Sequence, residues 1–131
     1  DGGNLVFKAD PGIGFIWARR YGGTSSDIGR GISMDSFGNS YSIGYYVSSS
    51  ITTFLETGSQ VVITNAGGTD ILVFCLSPTS PNLGYGNVKW VIRAGGTGFE
   101  YGEDITLDSY RNVFGIGSYD SASMMFGDLL R

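Results

Sequence analysis

IWARRYGGTSSDIGRGISMDSFGNSYSIGYYVSSS, residues 16–50, falls without a gap on KWVIRAGGTGFEYGEDITLDSYRNVFGIGSYDSAS, residues 89–123, when the chain is slid along itself by 73 positions. From Trp17 to Ser50 against Trp90 to Ser123, 15 of 34 positions are identical. They include Trp17 and Trp90, the triplets Gly22-Gly23-Thr24 and Gly95-Gly96-Thr97, Ile32 and Ile105, Asn39 and Asn112, and Gly44 and Gly117. Self-similarity at a fixed period marks a repeat architecture. A second segment also recurs: NLVFKADP at 4–11 resembles DILVFCLSP at 70–78, with Leu5-Val6-Phe7 on Leu72-Val73-Phe74 and Pro11 on Pro78. GDLLR, residues 127–131, reads as the opening of a third copy. The chain is therefore read as one β-repeat region over 1–131, with repeat 1 at about 4–69 and repeat 2 at about 70–126.

The segments between the landmarks alternate or run apolar over short stretches bounded by Gly, Asn, Asp, Ser and Pro, which is the strand signature. Strands are predicted near 4–9, 14–21, 30–35, 39–47, 59–65, 70–77, 87–94, 103–108, 112–118 and 124–130. The stretch TTFLETG, 52–58, is the one place where a helical curl is considered, and PTSPNLGYG, 78–86, reads as an insertion. DSFGNSY predicts a tight turn in which Asp35 accepts backbone N–H bonds and Gly38 takes positive φ. The second copy puts Arg111 at the Gly38 position, which predicts strain or a different turn there. The GGT loops are predicted to be strand exits with positive φ. The predicted class is all-β: tandem antiparallel repeats.

Composition agrees and excludes much else. Glycine makes up 22 of 131 residues and charged residues only 15%, against a usual ~25%. There is no histidine and one cysteine, Cys75, so Ser-His-Asp and Cys-His catalysis, Cys/His zinc sites and an intrachain disulfide are all ruled out. Cys75 lies in ILVFCLS and is expected to be a buried thiol. A net charge of −4 with scattered cations argues against nucleic acid, which needs clustered Lys and Arg. No apolar run reaches the ~18 residues of a membrane span. A Ser/Thr/Gly/Tyr-rich, Lys-poor composition leans towards an extracellular or cell- or virion-surface setting.

The ordered landmarks resemble the seven-bladed β-propeller repeat family of bacterial, archaeal and giant-virus surface proteins. That consensus is similar to the series FKADP, Trp17, GG, Asp27, GI, Asp35, GN, Tyr41, Gly44 and its second pass FCLSP, Trp90, GG, Glu100, DI, Asp108, RN, Phe114, Gly117. The resemblance implies four-stranded antiparallel blades with a scaffold or binding role, and implies no particular enzymology. Two repeats cannot close a propeller ring. A fragment of a longer propeller, an assembly of several copies and an open stack in a fibre all stay open. One phase match, in which GDLLR takes the place of GGNLVF in a neighbouring copy, suggests head-to-tail strand exchange.

Candidate chemistry is sparse. Asp35 with Asn39 and Asp108 with Asn112 carry oxygens of the kind calcium takes, but two side-chain donors per turn fall short of the six to eight it wants. Turn formation is the expectation, with calcium the alternative and no other cofactor. Glu100, Glu103 and Asp104 form the densest acidic group; a solvated loop is expected, with a cation site or a glycosidase-like pair as the alternative. Trp17 and Trp90 are expected to pack between blades. Tyr41, Tyr45 and Tyr46 form the aromatic cluster expected to face a protein or glycan partner, and the polar loop at Ser48–Thr53 is a possible O-glycan acceptor. No catalytic residue is assigned. The function expected is a non-enzymatic structural repeat protein that self-associates by strand pairing into a filament, fibre or surface coat; the alternative is a fragment of a ligand-binding propeller recognising glycans or proteins.

Overall fold

The computed structural model describes residues 2–78 and 87–130. These hold eleven strands and no helix: β1 (Asn4–Asp10), β2 (Gly14–Tyr21), β3 (Asp27–Met34), β4 (Ser40–Tyr46), β5 (Ser50–Phe54), β6 (Gln60–Thr64), β7 (Asp70–Leu76), β8 (Val88–Gly95), β9 (Glu100–Leu107), β10 (Val113–Tyr119) and β11 (Met125–Leu130). Most of the predicted insertion, residues 79–86, lies outside the described residues.

All strand pairs are antiparallel. β3, β4, β7 and β8 form a four-stranded meander, and β11 adds to it beyond β8. β1–β2, β5–β6 and β9–β10 are separate hairpins. The 73-residue offset carries β2, β3 and β4 onto β8, β9 and β10, and the LVF match carries β1 onto β7. The architecture is therefore a whole blade flanked by two halves: β1–β2 are the third and fourth strands of one blade, and β9–β10 the first and second strands of another.

Strand alternation explains why the central blade holds both halves. On β7, Leu72, Phe74 and Leu76 point to one side and join Val6, Trp17 and Tyr21 of β1–β2. Ile71, Val73 and Cys75 point to the other, against Tyr41, Ile43, Trp90 and Ile105. β7 is apolar on both faces because both are covered, which is why ILVFCL reads as a continuous run rather than an alternation. Phe74 stacks on Tyr21 with ring centroids 4.2 Å apart, and full burial of such a side chain stabilises by about 1.5–3 kcal/mol. Cys75 is free and 1% exposed, and burial pushes its thiol up to about 11.

Some local expectations change. TTFLETG does not curl helically: Thr52–Phe54 complete β5, whose pattern alternates exposed and buried, and Leu55 to Gly58 turn into β6. Within the SSSITT stretch Ser48 and Thr53 are buried, while Ser49, Ser50 and Thr52 are exposed at the start of β5. β3 and β9 begin three residues earlier than predicted, at Asp27 and Glu100. Gly127 to Leu130, read as the opening of a third copy, lie in β11 and pair with β8.

Candidate functional site

The two copies build the same lock at the loop between their second and third strands. Gly23 N donates to Asp27 Oδ2 (2.8 Å), and Ser48 Oγ donates to the same oxygen (2.7 Å). Gly96 N donates to Glu100 Oε2 (2.8 Å), and Ser121 Oγ donates to Glu100 Oε1. Ser48 and Ser121 are related by the repeat, and each accepts a second loop amide, from Ser25 (3.0 Å) and Gly98 (2.8 Å). A third GGT loop, Gly67 to Thr69, ends in Asp70, which accepts from Ala66 N (2.9 Å) and Tyr46 Oη (3.3 Å) and faces Arg93 at 3.5 Å. Burial holds the Asp70 carboxyl above its usual range against those hydrogen bonds and Arg93. All three carboxylates are buried. Asp27 and Glu100 spend both oxygens on loop amides and hydroxyls, whereas Asp70 Oδ1 is buried without a hydrogen-bond partner. The solvated acid cluster expected around Glu100 does not form, and Glu103 and Asp104 remain exposed.

The GGT glycines serve a different purpose from the one predicted. Among the described glycines, only Gly14, Gly38 and Gly58 have positive φ. A Cβ on Gly23 would strike Ser50 O and Ser48, and one on Gly96 would strike Ser121 and Ser123 O. Space for the serine that closes the lock, not backbone handedness, demands glycine there. Gly44 and Gly117 are likewise close-approach positions, facing Ile28 O and Tyr101 O. Gly22 abuts Gly3, and Gly95 abuts the Asp70 carboxylate.

The Asp–Asn turns have the predicted form. Asp35 Oδ1 accepts from Phe37 N and Asn39 N (both 2.9 Å), and Oδ2 from Asn39 Nδ2 (2.7 Å) and Tyr41 Oη (3.0 Å). Asp108 repeats this with Tyr110 N (2.9 Å), Asn112 N (2.8 Å) and Asn112 Nδ2 (2.7 Å). Desolvation opposes ionisation of Asp35, but the bonds from Asn39, Tyr41 and Phe37 outweigh it and hold the carboxyl low. Asp108 is held low chiefly by the Asn112 side chain. Carboxylates saturated in this way close turns. Among the described residues no cluster of three or more Asp, Glu or Cys is arranged to hold a metal.

The aromatic cluster proves to be interior. Tyr41, Tyr45 and Tyr46 are all buried, at 5%, 8% and 0% exposure. β4 is an inner strand between β3 and β7, with half-blades on both faces, so no side of it faces solvent. Tyr41 packs on Trp90, Tyr45 meets Tyr101 edge-on, and Tyr46 reaches Thr64 O. Trp17 is buried in the cluster that joins β1–β2 to the central blade, and Trp90 is half-buried beside Tyr41 and Cys75 of its own sheet. The repeat-related isoleucines part company: Ile105 is buried against the central blade, whereas Ile32 is 55% exposed because its outward side has only the edge of β1 beside it.

The surfaces left open are the outer sides of the half-blades. Leu5, Phe7 and Phe15 are exposed on β1–β2, and Phe114, Ile116 and Tyr119 on β10. Sequence order alone could have located them, since each is the repeat partner of, or neighbour to, a residue buried in the whole blade. A groove of about 610 Å³ lies beside β10, and a second of about 350 Å³ lies beside β1.

Comparison with known proteins agrees with this geometry. The family model described as the β-propeller repeat matches residues 16–45, from within β2 to within β4. The chain is also 25% identical over 121 residues to an uncharacterized WD repeat-containing protein of Acanthamoeba polyphaga mimivirus. That alignment takes in 92% of this chain and 8% of the relative, so the chain spans less than a tenth of the protein it matches. No solved structure matches. By its duplicated landmarks, its blade-and-two-halves topology and the match over residues 16–45, the chain is an all-β protein of propeller-like antiparallel repeats, and the family it resembles is that of the β-propeller repeat.

Proposed function

We propose that this is a non-enzymatic structural repeat protein, a scaffold segment that self-associates through its blade faces into a filament, fibre or coat at an extracellular or cell- or virion-surface site. The observation that carries the reading is the apolar character of both outer half-blade sides, with Leu5, Phe7, Phe114 and Ile116 each more than half exposed. Apolar strand faces of this kind mark contact surfaces. The buried carboxylates of Asp27 and Glu100 support a structural role, since both oxygens of each are taken by loop hydrogen bonds. Tyr41, Tyr45 and Tyr46 are interior, so they offer no contact surface for the ligand-binding alternative.

Mass in solution against concentration tests the reading, with electron microscopy of the concentrated sample. Growth beyond 13.9 kDa towards elongated or ring-shaped particles is the expected result. A monomer at every concentration up to ~1 mM, the weak limit of specific association, would overturn it.

A further inference from the structure

We propose that β10 of one copy of this chain pairs antiparallel with β1 of a second copy, joining two half-blades into a whole one. The inference rests on the scaffold reading above and names the surface through which the scaffold grows. Among the described residues, β10 pairs only with β9 and β1 only with β2, so each has one open edge. The chain contains its own template for the union: β4 and β7 are the repeat counterparts of β10 and β1, and they pair antiparallel without a break.

Carrying that register across gives the contact in detail. Ser42 faces Phe74, Ile43 faces Val73 and Gly44 faces Leu72. Their counterparts are Gly115 against Phe7, Ile116 against Val6 and Gly117 against Leu5. The two large exposed side chains of β1, Leu5 and Phe7, thus arrive opposite the two glycines of β10, which leave room for them. Both glycines line the 610 Å³ groove, together with Val73, Ile92 and Ala94. In the whole blade Phe74 stacks on Tyr21. The repeat counterpart of Tyr21 is Ala94, so the space of the missing ring is open to Phe7.

The opposite face of the joined blade is matched as well. Ile43 packs with Ile105 inside the chain; the counterpart contact sets Ile116 of one copy on the exposed Ile32 of the next. Charge follows the same order. Arg30 and Glu103 are repeat counterparts, each the bulged residue of its strand, and they already meet across adjacent blades at 3.7 Å. Head-to-tail stacking makes them alternate along the innermost strands, so each new blade sets an arginine beside a glutamate. The contact is heterologous, and such contacts close into rings or run on as filaments according to the rotation per copy.

The test is sedimentation of the wild-type chain, of Phe7→Glu, of Ile116→Lys and of an equimolar mixture of the two variants. Phe7 and Ile116 are 61% and 68% exposed, so both variants keep the monomer fold. Each substitution blocks one side of the contact and weakens association by about 30-fold or more, as expected for a central apolar anchor. In the mixture, β10 of Phe7→Glu meets β1 of Ile116→Lys, and a 1:1 dimer forms that does not grow further. Association of the wild type that neither variant weakens would overturn the strand pairing while leaving the scaffold reading in place. Variants that both stay monomeric in the mixture would also overturn it. A monomeric wild type would overturn both readings.

Discussion

The first copy closes its loop lock with an aspartate and the second with a glutamate, and the two networks differ by the length of one methylene. Asp27 is short enough to sit beneath the chain after β4, where Oδ1 also accepts from Val47 N and Ser48 N (both 3.0 Å). With Gly23 N and Ser48 Oγ on the other oxygen, it gathers four donors. Glu100 reaches further and takes Gly96 N and Ser121 Oγ. A second carboxylate, Asp120, assists there by accepting from Phe99 N (2.6 Å). The lesson is that the repeat preserves the donors of the lock, two loop amides and a serine hydroxyl, while the acceptor side is rebuilt around whichever acid is present.

The sharpest way to break that comparison is to remove each acid in turn. Asp27→Ala leaves four donors, two of them buried, without their acceptor and is expected to destabilise by about 3 kcal/mol. Glu100→Ala strands two and is expected to cost about 2 kcal/mol, because Asp120 and Ser121 still hold part of the loop. Urea unfolding of the two variants beside the wild type measures the difference. Equal losses would mean that the amides of Val47 and Ser48 find water once the acid is gone, and that the two locks are equivalent.

The lock shows where sequence reading stops. The Gly-Gly-Thr triplet and the acid four residues beyond the second glycine are visible at the 73-residue offset, but the serine that joins them lies 21 residues downstream of the acid in both copies. Only the blade brings the three together, so the local sequence points to backbone handedness at glycines whose role is to admit Ser48 and Ser121. The tyrosines of β4 mislead for a related reason. YSIGYY has the composition of a contact surface, and nothing local reveals that the strand is interior to its sheet and covered on both faces. By contrast, the turns are short-range objects. Asp35 to Asn39 and Asp108 to Asn112 carry their donors and acceptors within five residues, and sequence spacing sufficed to describe them.

Those turns differ at one backbone position, which supplies a second, smaller test. Gly38 sits at φ 87° and Arg111 at φ 68°, and both close the turn with the same pair of backbone bonds. The second copy therefore uses the same turn and accepts the strain of a side chain in the left-handed region, where an L-residue costs about 1–2 kcal/mol. Gly38→Ala is expected to destabilise by about 1 kcal/mol, and Arg111→Gly to stabilise by up to about 1 kcal/mol. Thermal unfolding resolves both shifts. Arg111→Gly that leaves the midpoint unchanged or lowers it would show that the arginine side chain offsets the strain of its backbone.

A candidate for that offset is present. The Arg111 guanidinium lies over the Phe37 ring, 4.9 Å from its centroid. Phe37 belongs to the first turn and Arg111 to the second, so the contact joins the tips of two adjacent blades, and it exists only because the turns have diverged from Gly-with-Phe to Arg-with-Tyr. Phe37 is 69% exposed, which places the interaction at the weak end of cation–π contacts, about 0.5–1 kcal/mol. A double-mutant cycle with Phe37→Ala and Arg111→Ala isolates it. Alanine at 111 keeps a Cβ in the left-handed region, so the backbone strain is the same in both arms and cancels from the coupling energy. A coupling of about 0.5 kcal/mol that survives moderate salt would establish the arginine as the side chain that steadies neighbouring blades at their tips. A coupling of zero would leave Arg111 as strain without return, and would predict that Arg111→Gly recovers the full backbone cost.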